Sequence, residues 1–344
     1  MLFKSTFPCA TQHGTRIFLL FVSLFFFVES SRAQLAGAHL LGDAGLASGS
    51  QSEPSISPLL IITNYHSKTF VNADKTDRSL PTLNYGSIIA GAAWVTNFKI
   101  LGANLGGSAL LSMANAKTEG SGISSKTPFA LSDSYVQPFQ LGWSTDRADF
   151  TFDYSLSIPT GKYELNGAEN TGLGMWTHEF SAGSTLYLNE DQDWSVSALM
   201  AYDINSKKRN TGDNRIVVGN IITVEGGLGK SWEIPQKKKG ETWAVNAGMV
   251  YYMQFKVTKD QLEIPEIGNV PILLNNKDHI LAAGVQADVY VPVIKTTIMV
   301  NWLQEFDAQN RLRGNSLLIT FIPFAKALHP KNQPEEKTEL SPHG

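Results

Sequence analysis

Six histidines lie beyond the first 33 residues, namely His39, His66, His178, His279, His329 and His343. A serine hydrolase would need one of them beside a serine on a sharp turn, and no GxSxG elbow occurs in the chain. A zinc site would need histidines or cysteines at ligand spacing. No two of these histidines fall at such spacing, and the only cysteine is Cys9. The run Gly226-Gly227-Leu228-Gly229-Lys230-Ser231 ends like a phosphate-binding loop. The first glycine of that motif would have to stand at Val224, and no helix pattern follows. These glycines are expected to relieve crowding where a strand curves. The residues therefore point to no metal, no cofactor and no covalent chemistry.

The remaining polar candidates come as one alternating set. Asp149, Asp153, Glu179, Asn246, Gln254, Asn301 and Glu305 each sit opposite an apolar face, at the two-residue period of a strand. Phe150, Phe152, Tyr154, Leu156 and Ile158 share one face of the clearest example, while Asp149, Thr151, Asp153, Ser155 and Ser157 share the other. Charged groups buried on such a face persist when hydrated or paired, so these seven are expected to line a polar lumen. They could equally pair inside and fill it.

The same alternation marks strands at 57–66, 86–97, 99–112, 133–144, 147–158, 175–188, 192–204, 217–231, 242–255, 279–290, 294–306 and 312–322. Spacers run long (67–85, 113–132, 159–174, 256–278) against very short (97–99, 144–147, 189–192, 291–294), with medium ones at 205–216 and 232–241 and a last one, 307–311, that is short on the long side. Twelve strands of about ten residues, with turns short on one side and long on the other, describe a transmembrane antiparallel up-and-down β-barrel of about twelve strands. Five tryptophans, Trp94, Trp143, Trp194, Trp232 and Trp243, fall near the strand ends expected in the periplasm, and Trp176 falls near an outer end. These six would form interfacial girdles, because an indole satisfies both apolar and polar surroundings there. Only Trp302 lies deeper.

The ends differ from the middle. Lys4 and Arg16 precede the apolar run 17–28, which is too short to span, and Ser31-Arg32-Ala33 offers small residues for cleavage. Residues 1–33 thus read as a cleaved export signal. Residues 34–56 are rich in Gly, Ala and Ser and read as a periplasmic or plug segment before a barrel at 57–322. Residues 323–344 read as a flexible tail. A net charge of −3 leaves no basic footprint for nucleic acid. Lys207, Lys208 and Arg209 are expected in a solvated outer loop, where they could meet lipopolysaccharide phosphates, while Lys237, Lys238 and Lys239 lie on the opposite side.

From residue 156 onwards several motifs recur in one order. They are Ile158-Pro159-Thr160-Gly161-Lys162-Tyr163, Asn170-Thr171-Gly172-Leu173-Gly174-Met175-Trp176, Ala182-Gly183-Ser184-Thr185-Leu186-Tyr187-Leu188-Asn189, Tyr202-Asp203-Ile204-Asn205 and Glu225-Gly226-Gly227-Leu228-Gly229-Lys230. In this combination the chain resembles the meta-pathway phenol-degradation family of outer-membrane proteins. The resemblance implies a barrel in the outer membrane of a Gram-negative bacterium and uptake of small hydrophobic or aromatic compounds. The chain departs from that pattern at Ser52-Glu53-Pro54-Ser55, where relatives are proline-rich, and in the tail after Phe321.

The expected partners are outer-membrane lipid and lipopolysaccharide, the barrel assembly machinery and a small apolar or aromatic solute. Two other classes stay open at this point: an outer-membrane hydrolase acting on lipid, and a soluble periplasmic β protein that binds an apolar ligand.

Overall fold

The computed structural model describes residues 37–120, 122–165, 167–235, 242–265, 268–270 and 278–323. The expected signal at 1–33, the lysines at 237–239, His329, His343 and the tail from 324 onward lie outside the described residues.

Alternation forces extended backbone, and sixteen strands follow in chain order: β1 Ser55–Val71, β2 Asp77–Ile100, β3 Ala103–Gly120, β4 Ile123–Leu131, β5 Ser134–Ser144, β6 Ala148–Ile158, β7 Thr177–Tyr187, β8 Trp194–Asn205, β9 Arg215–Val217, β10 Ile221–Pro235, β11 Thr242–Lys256, β12 Gln261–Ile264, β13 Gly268–Val270, β14 His279–Val291, β15 Thr296–Gln309 and β16 Arg311–Pro323. Twelve of them pair antiparallel in sequence order, and β1 pairs with β16, so the sheet closes and has no edge. β4 continues the course of β5 along β3, interrupted at Ser132 and Asp133. β9, β12 and β13 form a small separate sheet beyond the barrel's far end. The near end is the one holding Ser55 and Pro323.

All twelve expected strands are present, with three differences. The spacers expected to be long at 67–85 and 113–132 are mostly strand. β1 and β2 pair up to Val71 and Asp77, and β3 returns through β4 after Gly120. Apolar residues of these stretches, such as Phe70, Val71, Leu80 and Leu83, do not alternate strictly with polar ones, so the pairing continues where no regular apolar face reveals it. The near-end turn expected at 97–99 lies instead at Leu101-Gly102, with φ of 50° and 83°. Two consecutive left-handed residues suit a tight hairpin, and the register slips between Val95 and Lys99 to reach it.

The side-chain distribution is inside-out. Along β6, Asp149, Thr151, Asp153 and Ser155 are buried while Phe150 and Phe152 are exposed. β7 repeats this with Glu179 and Ser181 buried and Phe180 exposed, as does β10 with Thr223 and Glu225 against Leu228. Apolar surface left facing water costs about 25 cal/mol per Å². A hydrocarbon surrounding removes that cost, and closed ladders satisfy every backbone group within it.

The interior is not uniformly polar. Val71, Val250, Tyr252, Ile280, Ala282, Leu303, Ala308 and Leu318 form an apolar cluster together with Leu46, a residue from before the first strand.

Candidate functional site: a lumen occupied by the N-terminal segment

Residues 37–54 enter no ladder. They carry one 3₁₀ turn at Gly45–Ala47 and hydrogen-bond to inward side chains of seven strands, with Leu46 packed on an eighth, β11. Backbone that makes no sheet bonds must find other partners, and polar wall residues supply them. Glu225 accepts the Gly42 N–H at 2.7 Å and the Ala44 N–H at 3.3 Å. Gln286 accepts the Leu46 N–H at 3.0 Å, and Thr185 the Gly49 N–H at 3.2 Å. Asn301 donates to the Gly42 carbonyl at 2.7 Å, and Ser197 to the Gly45 carbonyl at 2.9 Å. Ser50 donates to Asp149 at 3.0 Å, and Gln51 to the Gln140 side chain at 3.1 Å.

The glycines of the 225–230 motif acquire a role from this placement. Glu225, Gly227 and Gly229 share the inward face of β10. A Cβ added at Gly227 would stand 2.7 Å from Leu46 Cδ2, and one at Gly229 would stand 2.9 Å from Leu46 Cδ1. They leave the space that Leu46 fills, so close approach of the segment adds to the crowding between neighbouring strands, where a Cβ at Gly227 would stand 2.6 Å from the Met249 carbonyl and one at Gly226 closer still to the Ser197 carbonyl.

Each expected lumen residue has a defined place. Asp149 accepts from Ser144 at 2.5 Å, Tyr187 at 2.7 Å and Ser50. Asp153 accepts from Ser181 at 2.5 Å. Glu179 meets His39 Nδ1 at 2.7 Å and accepts from Ser155 at 3.3 Å. Asn246 donates to Asp288 at 3.4 Å, and Gln254 donates to Thr223 at 3.0 Å. Asn301 holds the segment, and Glu305 accepts from Tyr252 at 2.7 Å and Tyr65 at 2.9 Å. All seven are buried. Among them Asp149, Glu179 and Asn301 touch the N-terminal segment directly; the others bond wall to wall.

Of the tryptophans, Trp194 opens β8, Trp243 is second in β11, Trp143 is next to last in β5, and Trp94 and Trp232 lie in the near-end parts of β2 and β10. Trp176 immediately precedes β7 at the far end, and Trp302 is exposed at mid-height of β15. The described histidines bond to carboxylates, an amide or a phenol rather than to a serine. They meet Glu179 (His39), Asn84 (His66, 2.8 Å), Tyr154 (His178, 2.8 Å) and Asp307 (His279, 3.3 Å).

Wall residues missed in the sequence are Glu225, Gln286, Thr185 and Ser197, together with His39 and Asp43 of the segment. Glu225 was legible as an inward position two residues before Gly227. His39 and Asp43, four apart in a stretch of Gly, Ala and Leu, were the only ionisable groups there.

At the far end, described parts of the loop at 159–176 are tied to the barrel and to the 207–209 loop. Asp133, at the break between β4 and β5, accepts the Gly161 N–H at 3.1 Å and the Leu173 N–H at 2.6 Å. Its burial pushes the carboxyl above its ordinary range, against the lowering effect of those two bonds. Lys208 is not solvated as expected. It is 3% exposed, donates to the Leu173 carbonyl at 2.6 Å and lies 4.6 Å over the Tyr163 ring. That burial pushes its ammonium down to about 8. The basic side chains of residues 207–209 thus serve partly to dock one loop on another.

A closed twelve-stranded antiparallel sheet with an apolar exterior and a buried polar wall defines a transmembrane β-barrel of the outer-membrane type. The chain belongs to the family described as "Putative MetA-pathway of phenol degradation", which matches residues 68–321. It is similar in structure to an outer membrane channel from Pseudomonas putida F1. The TM-score is 0.62 at 13% identity, over 83% of this chain and 99% of that one, and the likeness shows the fold. The beta domain of the Bordetella autotransporter Brka aligns with a TM-score of 0.45 at 11% identity, over 78% of this chain and 99% of that one. No curated protein matches the sequence.

Proposed function

We propose that this barrel is an outer-membrane channel for small hydrophobic or aromatic compounds, and that residues 37–54 close its lumen at rest. The seating of that segment on the polar wall carries the reading. The described contacts are separate hydrogen bonds, the His39–Glu179 pair and the packing of Leu40, Leu41 and Leu46, rather than a sheet ladder. None of them is part of the barrel's own strand pairing, so the segment can leave without unfolding the barrel. The apolar cluster beside it offers a solute something to contact once Leu46 has moved. Family membership supports the choice of solute class.

The near end, with its five tryptophans and both ends of the barrel chain, then faces the periplasm. The export signal read at residues 1–33 would deliver the chain there. A deletion strain grown on a panel of aromatic and fatty carbon sources tests the assignment. Slower growth at limiting concentration on an aromatic source, restored by the intact gene, is expected. Equal growth on every source would reject the solute class.

A further inference from the structure

Where the segment crosses β7, β8 and β10, one imidazole and four carboxylates gather: His39, Asp43, Glu179, Asp203 and Glu225. One donor atom each from His39, Asp43 and Glu225 lies within 4.8 Å of the others. His39 turns Nδ1 to Glu179 at 2.7 Å and points Nε2 toward Glu225 at 3.4 Å. Its side chain is only 9% exposed, yet Nε2 has no hydrogen-bond partner among the described residues. Asp203 is the cross-strand partner of Glu179 and is 1% exposed. Neither of its carboxylate oxygens has a hydrogen-bond partner among the described residues. No lysine or arginine pairs with any of these four acids among the described residues; the ion pairs that Glu179 and Glu225 make are both with His39.

Buried anions without counter-charge are costly, by several kcal/mol per ion after relaxation. Something positive must join them. The imidazole is already oriented for the task. A carboxylate on Nδ1 fixes the tautomer that leaves the Nε2 lone pair free, as in carboxylate–histidine–metal arrangements. That lone pair faces two carboxylates at ligand spacing. Asp43 keeps accessible surface although it lies within the barrel, so open lumen space borders the cluster.

We infer that His39 Nε2, Asp43 and Glu225 bind a divalent transition-metal ion of the zinc and manganese class, which pins the N-terminal segment to the barrel wall. An imidazole among the ligands favours such ions over calcium or magnesium, which prefer all-oxygen shells. Glu179 orients the histidine from behind, and Asp203 adds negative charge beside it. Two ligands come from the segment and one from β10, so the ion links parts that otherwise share only weak bonds. The site stands whatever solute crosses the lumen.

The test uses the full chain in detergent, stripped with EDTA and titrated with zinc chloride in a calorimeter. One site per chain is expected, at least tenfold tighter for zinc than for magnesium. Glu225→Gln and Asp43→Asn should each weaken zinc binding by about 10–100-fold or more, while Glu169→Gln in an exposed loop leaves it unchanged. Heat-shifted gel mobility shows that each variant is still a folded barrel. X-ray absorption at the zinc edge should find one imidazole nitrogen among oxygens. Absence of saturable zinc binding, equal affinity in the two ligand variants, or a shell without nitrogen would each overturn the site, leaving protons alone to neutralise the cluster.

Discussion

Leu46→Ala separates the seating of the N-terminal segment from the integrity of the barrel. Leu46 is 2% exposed and packs above Gly227 and Gly229 within the apolar cluster. Truncating a buried leucine costs about 2–5 kcal/mol. The barrel ladders make no use of Leu46, so the loss falls on the docked segment. The ratio of docked to undocked molecules should drop by roughly 30- to 5,000-fold at 1.4 kcal/mol per decade. Hydrogen exchange at amides 42–49 reads this directly, with gel mobility as the control for a folded barrel. Gly229→Ala supplies the converse perturbation. Its Cβ would meet Leu46 Cδ1 at 2.9 Å, Cδ2 at 3.0 Å and Asn246 Oδ1 at 3.2 Å, all ends of side chains. Alone it should speed exchange in the segment. Combined with Leu46→Ala it should add less, because the two nearest of the three atoms it strikes are gone. Less than threefold acceleration of exchange at 42–49 in Leu46→Ala, or acceleration spread equally over β10 and β11, would show that Leu46 does not seat the segment.

Asp133→Ala removes the acceptor of two loop amides, at about 1–3 kcal/mol for each buried donor left unpaired, so limited proteolysis should nick the chain within 159–176. Lys208 titrates near 8 when docked and near its ordinary 10.5 when released. Between those values the released loop binds more protons, so docking strengthens as pH rises from about 8 to about 10.5 and is weakest below 8. Protection of the 207–215 loop from protease should increase across that window; a decrease would contradict the burial of Lys208. In a barrel whose segment has been replaced, Asp149→Asn with Asp153→Asn should shift the reversal potential in a KCl gradient toward anions.

Strand number, pairing order and the inside-out faces were legible because lipid imposes a strict two-residue period on each membrane-crossing stretch. Asp149 and Phe150, adjacent and opposite in character, carry that signal by themselves. The extended hairpins β1–β2 and β3–β4 were not legible, since apolar residues there, such as the adjacent Phe70 and Val71, break the two-residue alternation. The path of residues 37–54 escaped for a related reason. Its bonds are between backbone groups and wall side chains far along the chain, and such bonds leave no local pattern. The burial of Lys208 likewise depends on a loop some 35 residues earlier. The glycines of β10 were visible from the start, but their purpose required knowing what lies above them.

The central claim is that the polar lumen is closed by the chain's own N-terminal segment. Single-channel conductance in planar bilayers tests it most directly, comparing the intact barrel with one whose residues 37–54 are replaced by a flexible Gly-Ser linker tethered at the same place. A quiet or rarely open intact barrel and a steady, larger conductance in the variant are expected. Equal conductance in the two would contradict it.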